Sequence, residues 1–305
     1  MKQTTRTVNR REFGAGAIAA AALAATAPSN VFAAAAAARP QVCAFIKFLT
    51  ALDYDELSDA MAELGFDGVE VTVREKEGYI KPAEAAAELP KFRKALDKNN
   101  LQLTIVTTDL VSVDDTHADS VLRASADAGA QRYRLGFYRY DLKLPIVEQI
   151  ETFKGRLLQF AKVSRKLSLP GMYQNHAGKD FFGATIWDLY HALRDVPAED
   201  LGCVYDLRHA MVEAGEAWPL LYQVMQPHIL AYSVKDFVWG EEKSKHAPLG
   251  DGRVDRKFYE ELANSNYSGP ISLHVEYLPD GGVDVQLAAL KRDFATLSEW
   301  MGRKN

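Results

Sequence analysis

The chain has 305 residues, 48% of them apolar and 25% charged, with 20 glycines, 12 prolines and two cysteines. These proportions exclude a collagen-like repeat, a disordered tail and a small disulfide scaffold, and the length suits one large α/β barrel or two smaller domains. The formal charge of −5 comes without a basic block, which argues against nucleic-acid wrapping and against adhesion to an anionic membrane.

The first 38 residues differ from the rest. Arg10 and Arg11 stand just before Phe13, an Ala-dominated stretch follows over 14–27, and small residues surround Val31-Phe32-Ala33-Ala34. This layout predicts a cleavable export signal, and the paired arginines resemble the twin-arginine type. The expected location is the periplasm or another exported compartment. A retained anchor would need about 20 strongly apolar residues, so no stable membrane insertion is expected after cleavage. Cleavage near Ala33 removes four basic residues and one acidic one, leaving a net charge of about −8. Residues 1–38 are therefore read as signal and spacer, and 39–305 as one domain. Cys43 and Cys203 sit inside apolar, strand-like runs and are expected as buried thiols.

From residue 41 onward, short β-branched or aromatic runs alternate with amphipathic stretches. Strands are expected at 42–48, 68–74, 102–107, 132–137, 170–175, 202–206, 229–235 and 270–277. Helices are expected at 54–64, 83–98, 116–128, 146–167, 185–194, 216–226, 255–264 and 285–301, and Leu57, Ala60, Met61 and Leu64 show the 3.6-residue stripe. Eight βα units predict a (β/α)8 TIM barrel, and no Gly-x-Gly-x-x-Gly turn follows the first strand to indicate dinucleotide binding.

Active sites of such barrels lie at the C-terminal strand ends, so polar residues there become the candidates. Lys47 lies near the end of the first strand. The second carries Glu70, Thr72 and Arg74 on one face, with Glu70 read evenly as a structural partner of an arginine or as functional. Arg134 lies near the end of the fourth. The fifth runs into Gln174-Asn175-His176, and the sixth ends in Asp206-Leu207-Arg208-His209. There Asp206 is either a ligand or the cap of a following turn. Ser233 and Lys235 share a face at the seventh, and Ser272, His274 and Glu276 at the eighth. Two carboxylates, imidazoles and an amide in one mouth favour a divalent ion such as Mn2+, Mg2+ or Zn2+, which would polarise a carbonyl while a base removes the neighbouring proton. Trp187, Trp218 and Trp239 fall in the loops after strands five to seven, as a sugar-stacking rim or as helix packing.

Taken together, Gly65-Phe66-Asp67-Gly68-Val69, Tyr173-Gln174-Asn175-His176-Ala177-Gly178, Tyr205-Asp206-Leu207-Arg208-His209-Ala210, Lys235-Asp236-Phe237 and Pro248-Leu249-Gly250-Asp251-Gly252 resemble the xylose isomerase-like TIM barrels, in an exported branch of sugar isomerases and epimerases. The resemblance spans the mature chain. It implies a metal held by Glu, Asp, His and Glu from strands five to eight, of which Asp206 and Glu276 are kept. Gln174 replaces the first Glu and Ser233 the His. His176, Glu276, Lys235 and His209 are then the expected catalytic groups, with Arg74, Arg134, His274 and Lys47 binding substrate and Gln174, Asp206 and Glu276 holding metal. The expected substrate is a small, non-phosphorylated carbohydrate. A keto-glycoside lyase or hydrolase and a non-catalytic periplasmic sugar-binding protein are the alternatives, a DNA-repair endonuclease is disfavoured by the acidic charge, and association into a homo-oligomer stays open.

Overall fold

Side-chain alternation along eight short strands closes this chain into a barrel. A computed structural model of the protein describes residues 39–303; the expected export segment, 1–38, lies outside them. Seven barrel strands come first: β1 (Val42–Phe45), β2 (Gly68–Val73), β3 (Gln102–Thr108), β4 (Arg132–Arg134), β5 (Gly171–Gln174), β6 (Leu201–Asp206) and β7 (Ile229–Val234). An antiparallel hairpin of β8 (Asp236–Trp239) and β9 (Ser244–Ala247) follows, and β10 (Ile271–Leu273) pairs in parallel with both β7 and β1 to close the ring. The helices are α1 (Tyr54–Leu64), α2 (Ala85–Lys98), α3 (Ala118–Asp127), α4 (Ile146–Leu167), α5 (Trp187–Leu193), α6 (Leu207–Ala214), α7 (Trp218–Met225), α8 (Arg256–Ala263) and α9 (Val283–Trp300). The expected TIM barrel is the observed fold.

Two elements differ from expectation. Helix α6 starts at once after β6 where a loop was expected, because the Asp206 side chain accepts from the His209 backbone N–H at 3.1 Å and caps it. The hairpin β8–β9 was also not expected, because its exposed positions, such as Val238 and Trp239, blur the alternation that marks a half-buried strand. Strands one, four, five and eight are clearly shorter than predicted, so Lys47 lies beyond the end of β1, and His274 and Glu276 beyond the end of β10, rather than within them.

Val69, Val71 and Val73 of β2 share one core cluster with Leu57 and Met61 of α1 and Leu89 and Phe92 of α2, which ties the barrel to its outer ring. Each such fully buried side chain contributes about 1.5–3 kcal/mol. Inside the barrel Cys43, Ile105, Met172, Val204 and Ala231 form a separate apolar plug. Two residues further along four of those strands stand Thr107, Gln174, Asp206 and Ser233, all buried. A period of two therefore sets a polar layer directly above the plug, toward the C-terminal strand ends. Both cysteines are buried and free, as expected, and burial pushes their thiols up.

Local chemistry fixes the element ends. Asp53 and Glu56 form a reciprocal capping box at the start of α1, and Gly65 ends that helix in the left-handed region, at φ 84°.

Candidate active site

The polar layer has two halves. In the first, Glu70 is the acceptor at the centre: Thr107 Oγ1 donates to it, as does Ser272 Oγ, His274 Nε2 lies 3.1 Å away and Arg134 Nε 3.3 Å away. Glu70, Arg134 and His274 are all buried. Desolvation opposes the charge on Glu70, but His274 and Arg134 more than offset it and hold the carboxyl well below the usual range. The arginine partner read as one alternative for Glu70 is thus Arg134. His274 also stacks on Phe45, with ring centroids 4.3 Å apart.

Gln174 joins the halves. Arg134 Nη1 donates to its carbonyl oxygen, and its amide donates to Asp206 Oδ2 at 2.8 Å. Asp206 serves two functions at once, one oxygen capping α6 and the other facing the mouth. Lys235 Nζ then bridges the carboxylates, 3.2 Å from Asp206 Oδ2 and 2.7 Å from Glu276 Oε2. Burial alone would discharge this lysine, but the two carboxylates keep its pKa above the ordinary value, while Lys235 in turn holds Glu276 well below.

Two imidazoles stack beside this bridge, His176 and His209, with ring centroids 3.9 Å apart. His176 Nδ1 lies 2.8 Å from the Ala177 carbonyl, which only accepts, so Nδ1 carries the proton and Nε2 keeps its lone pair. His209 is the opposite tautomer, because its Nδ1 accepts from Arg208 Nη1 at 2.9 Å. Its Nε2–H is buried without a hydrogen-bond partner, and Asp206 Oδ2 is 3.6 Å away. Burial and the Lys235 charge push His176 down to about 4 and His209 well below its usual value, so both rings are uncharged at neutral pH.

These groups surround a cavity of about 140 Å³ lined by Phe45, Lys47, Arg74, Arg134, Phe137, Gln174, His176, Lys235, His274 and Glu276. All the expected substrate-binding residues reach it. Asp206 and His209 are not among the lining residues; Asp206 contacts Gln174 and Lys235, which are, and the His209 ring packs against that of His176. Lys47 is paired with Glu77 at 2.6 Å. Beyond Phe181, which stacks on His176, lies a wider apolar cavity of about 630 Å³ whose walls include Leu142, Ile146 and Trp187. Its carboxylates are already engaged, Glu151 with His191 at 2.7 Å, Asp188 by the Tyr140 hydroxyl and the Gly183 N–H, and Glu213 by the Gly178 N–H, so the chemistry is placed in the smaller cavity. Trp218 packs edge-on against Phe258, Trp187 and Trp239 are about half exposed, and only Trp187 lines either cavity.

The hairpin supplies residues the sequence reading missed. His246 on β9 is pushed down to about 4 by burial, with Glu276, Lys235 and Arg208 among the charges acting on it. Arg208 donates to Ser244 Oγ at 2.9 Å and lies over Phe237. Asp236 holds the hairpin base: its carboxylate accepts from the backbone N–H groups of Phe237, Gly250, Gly252, Arg253 and Val254 at 2.7–3.0 Å. A Cβ on Gly252 would lie 2.2 Å from Asp236 Oδ1, so only glycine fits there. Asp236→Asn keeps the shape but loses charge and one acceptor, and is expected to cost about 2 kcal/mol in urea unfolding; an unchanged midpoint would show that the clamp contributes nothing.

The sequence profile described as xylose isomerase-like TIM barrel matches residues 58–296. The chain belongs to this family. Among curated proteins no sequence matches it. Several solved structures share the fold of this xylose isomerase-like barrel. The 3-keto-D-glucoside 4-epimerase of E. coli, in its apo form, is 13% identical at a TM-score of 0.66, covering 86% of this chain and 100% of its own. The probable 3-DHS dehydratase of petrobactin synthesis from Bacillus anthracis is 14% identical at 0.65, over 85% and 98%. A xylose isomerase-like protein from Mycobacterium smegmatis, solved in complex with magnesium, is 15% identical at 0.60, over 86% and 97%.

The magnesium complex shows that the family includes metal-bound members. The donors placed here do not fit such an ion. The carbonyl oxygen of Gln174 is taken by Arg134, its amide presents N–H to Asp206, and the Lys235 ammonium fills the space between Asp206 and Glu276. An ion at that point would meet a positive charge rather than a closed set of oxygens.

Proposed function

We propose that this protein is an exported carbohydrate-active enzyme that moves a proton next to a carbonyl, as a sugar isomerase or epimerase acting on a non-phosphorylated keto-sugar. Family membership and the sugar-processing names of its structural neighbours support the substrate class. The twin-arginine segment supports export. The observation that carries the chemistry is the Lys235 ammonium held between Asp206 and Glu276, beside a neutral His176 whose Nε2 lone pair is free.

In this reading the carbonyl oxygen of the substrate accepts from Lys235. As the α-proton leaves, negative charge grows on that oxygen, and a pre-positioned ammonium stabilises it more strongly in the transition state than in the ground state. His176 Nε2 takes the proton, and the Ala177 carbonyl holds the ring in the tautomer that permits it. Glu276, ionised and at the cavity wall, is the second proton acceptor. Protonation of the same carbon by the Lys235 ammonium, with the His176 proton passing back through solvent, gives an epimer. Delivery of the His176 proton to the former carbonyl carbon, with the α-hydroxyl proton lost to Glu276 and the former carbonyl oxygen protonated by Lys235, gives an isomer, and the 2.7 Å Lys235–Glu276 hydrogen bond resets the pair. No step requires the divalent ion that the donors do not fit. Loss of a β-substituent from the same enolate would give the lyase outcome, which needs no further residue.

The test is incubation of the mature protein with a keto-sugar panel in deuterated water. Solvent deuterium should enter the carbon next to the carbonyl, and His176→Ala should slow that exchange about 10²–10⁴-fold. Sugar affinity without exchange in either form would instead favour a binding protein. Because His176 must be neutral to act and its pKa is pushed down to about 4, kcat should stay level from pH 8 to about 5 and fall below about 4. An acid limb near pH 6.5 would reject His176 as the base.

A further inference from the structure

The charges around the mouth do not balance. Glu70, Asp206 and Glu276 are its three buried or largely buried carboxylates, against four cations, Arg74, Arg134, Arg208 and Lys235. Lys47 adds nothing to this difference, being neutralised by Glu77. His176, His209 and His246 are uncharged at neutral pH, and His274 pairs with Glu70 at 3.1 Å. Counting arginines and lysine alone, the cations already outnumber the carboxylates, in a chain whose net charge is −5.

The excess can be placed. Arg134 has Glu70, Lys235 has Asp206 and Glu276, and Arg208 rests on neutral acceptors, the His209 ring and the Ser244 hydroxyl, outside the cavity lining. Arg74 lines the cavity, yet no ion pair joins it to a carboxylate among the described residues. Its Nε donates to the Thr108 carbonyl at 3.2 Å. Its two terminal nitrogens, and Nη2 of the neighbouring Arg134, donate to none of the described residues. The loop beyond β2 holds the arginine in place, with the Arg74 backbone N–H bonded to the Ile80 carbonyl at 3.1 Å and Thr72 Oγ1 accepting from the Tyr79 N–H at 2.9 Å. Burial and the nearby Arg134 push the guanidinium down to about 10, which still leaves it charged at neutral pH. Two adjacent like charges, one without a counter-ion, with donors directed into a small polar cavity, are what a planar oxyanion fits.

We propose that the substrate is a sugar acid, whose carboxylate is bound by the terminal nitrogens of Arg74 with Arg134 beside it. This rests on the carbohydrate reading of the same site and adds the functional group that the sugar carries. A carboxylate brings one negative charge on a planar pair of oxygens, which suits the one guanidinium of the cavity wall that has no carboxylate in contact among the described residues, whereas a phosphate monoester brings about −1.5 to −2 on a tetrahedral group. The wall formed by Arg74, Arg134 and Lys47 thus selects for charge, and the wall formed by His176, Lys235 and Glu276 carries out the reaction.

Isothermal titration of the mature protein with D-glucuronate, D-glucose and D-glucose 6-phosphate tests it. The acid is expected to bind at least tenfold more tightly than glucose and more tightly than the phosphate. In Arg74→Met that gap should close, and in Arg74→Lys it should close partly, since the charge is kept and the two-pronged geometry is lost. Circular dichroism and the melting temperature confirm that both variants fold. Equal affinity for acid and neutral sugar, a preference for the phosphate, or an unaltered gap in Arg74→Met each overturns the proposal while leaving a sugar site intact. If none of the three binds while a neutral keto-sugar does, the carboxylate assignment is wrong. If no sugar of any kind binds, the carbohydrate reading fails and this proposal fails with it.

Discussion

Lys235→Met is expected to lower turnover about 10²–10³-fold and to destabilise the fold by about 3–5 kcal/mol. Both effects come from one atom. Nζ is the cation shared by Asp206, which is fully buried, and Glu276, and methionine fills the space of the stem without the charge. Two facing carboxylates then lack that counter-ion, and with burial no longer offset by it the Glu276 carboxyl should rise above its unfolded value. A carboxylate with a raised folded pKa binds more protons folded than unfolded, so the stability of the variant should fall as pH rises through that pKa. The wild type behaves oppositely. Its Glu276 is held low, and the contribution of that group is complete above about pH 4.3 and lost only in acid. Calorimetry at pH 5 and pH 7 separates the cases, because the variant should be closer to the wild type at pH 5. Millimolar Mn2+ should raise the melting temperature of Lys235→Met more than that of the wild type, since a divalent ion can replace the missing ammonium. A variant within about 3 °C of the wild type, with turnover retained, would remove Lys235 from the mechanism and from the core of the site.

Glu70→Leu is the second large effect, and it bears on the scaffold. Leucine removes the acceptor for Thr107, Ser272 and His274 and leaves the Arg134 guanidinium buried without a carboxylate. Breaking a buried pair in this way costs about 3–5 kcal/mol. At roughly 2–4 °C per kcal/mol for a domain of this size, the melting temperature should fall by about 10 °C. The folded pKa of Glu70 is depressed, so its contribution is fully present above the unfolded value near 4.3 and is lost as pH falls toward the folded one. The gap between wild type and variant should therefore be constant from pH 8 to about 5 and narrow only in stronger acid. Sugar affinity should fall as well, because Arg134 faces the cavity only while Glu70 and Gln174 hold it. A melting temperature unchanged at pH 7 would show that the network holds no net stability.

Much of this was present in local pattern. The alternation Val69, Val71, Val73 against Glu70, Thr72 needs no partner to state which face is apolar, and it placed β2 and its interior face correctly. The capping box at Asp53 and the glycine at Gly65 likewise fix α1 by contacts within one turn at each end. Strand-end position alone brought Gln174, His176, Lys235, His274 and Glu276 to one cavity. What local pattern could not reach was anything set by a residue far along the chain. Glu70 could be structural or functional until Ser272, 202 residues later, was seen donating to it. Gln174, Asp206 and Glu276 formed a plausible set of metal donors until the tertiary structure put the Lys235 ammonium among them. His246 stayed unnoticed because a single half-buried histidine on a short, partly exposed hairpin carries no periodic signal. The sequence by itself determined a barrel of eight βα units, the polar character of its mouth and the family to which it belongs, since these follow from periodicity and from short contiguous motifs. Only the tertiary structure decided which charges are matched with which, because pairing is a matter of distance across the barrel and not of spacing along the chain. That pairing leaves Arg74 as the arginine of the cavity wall without a carboxylate partner among the described residues.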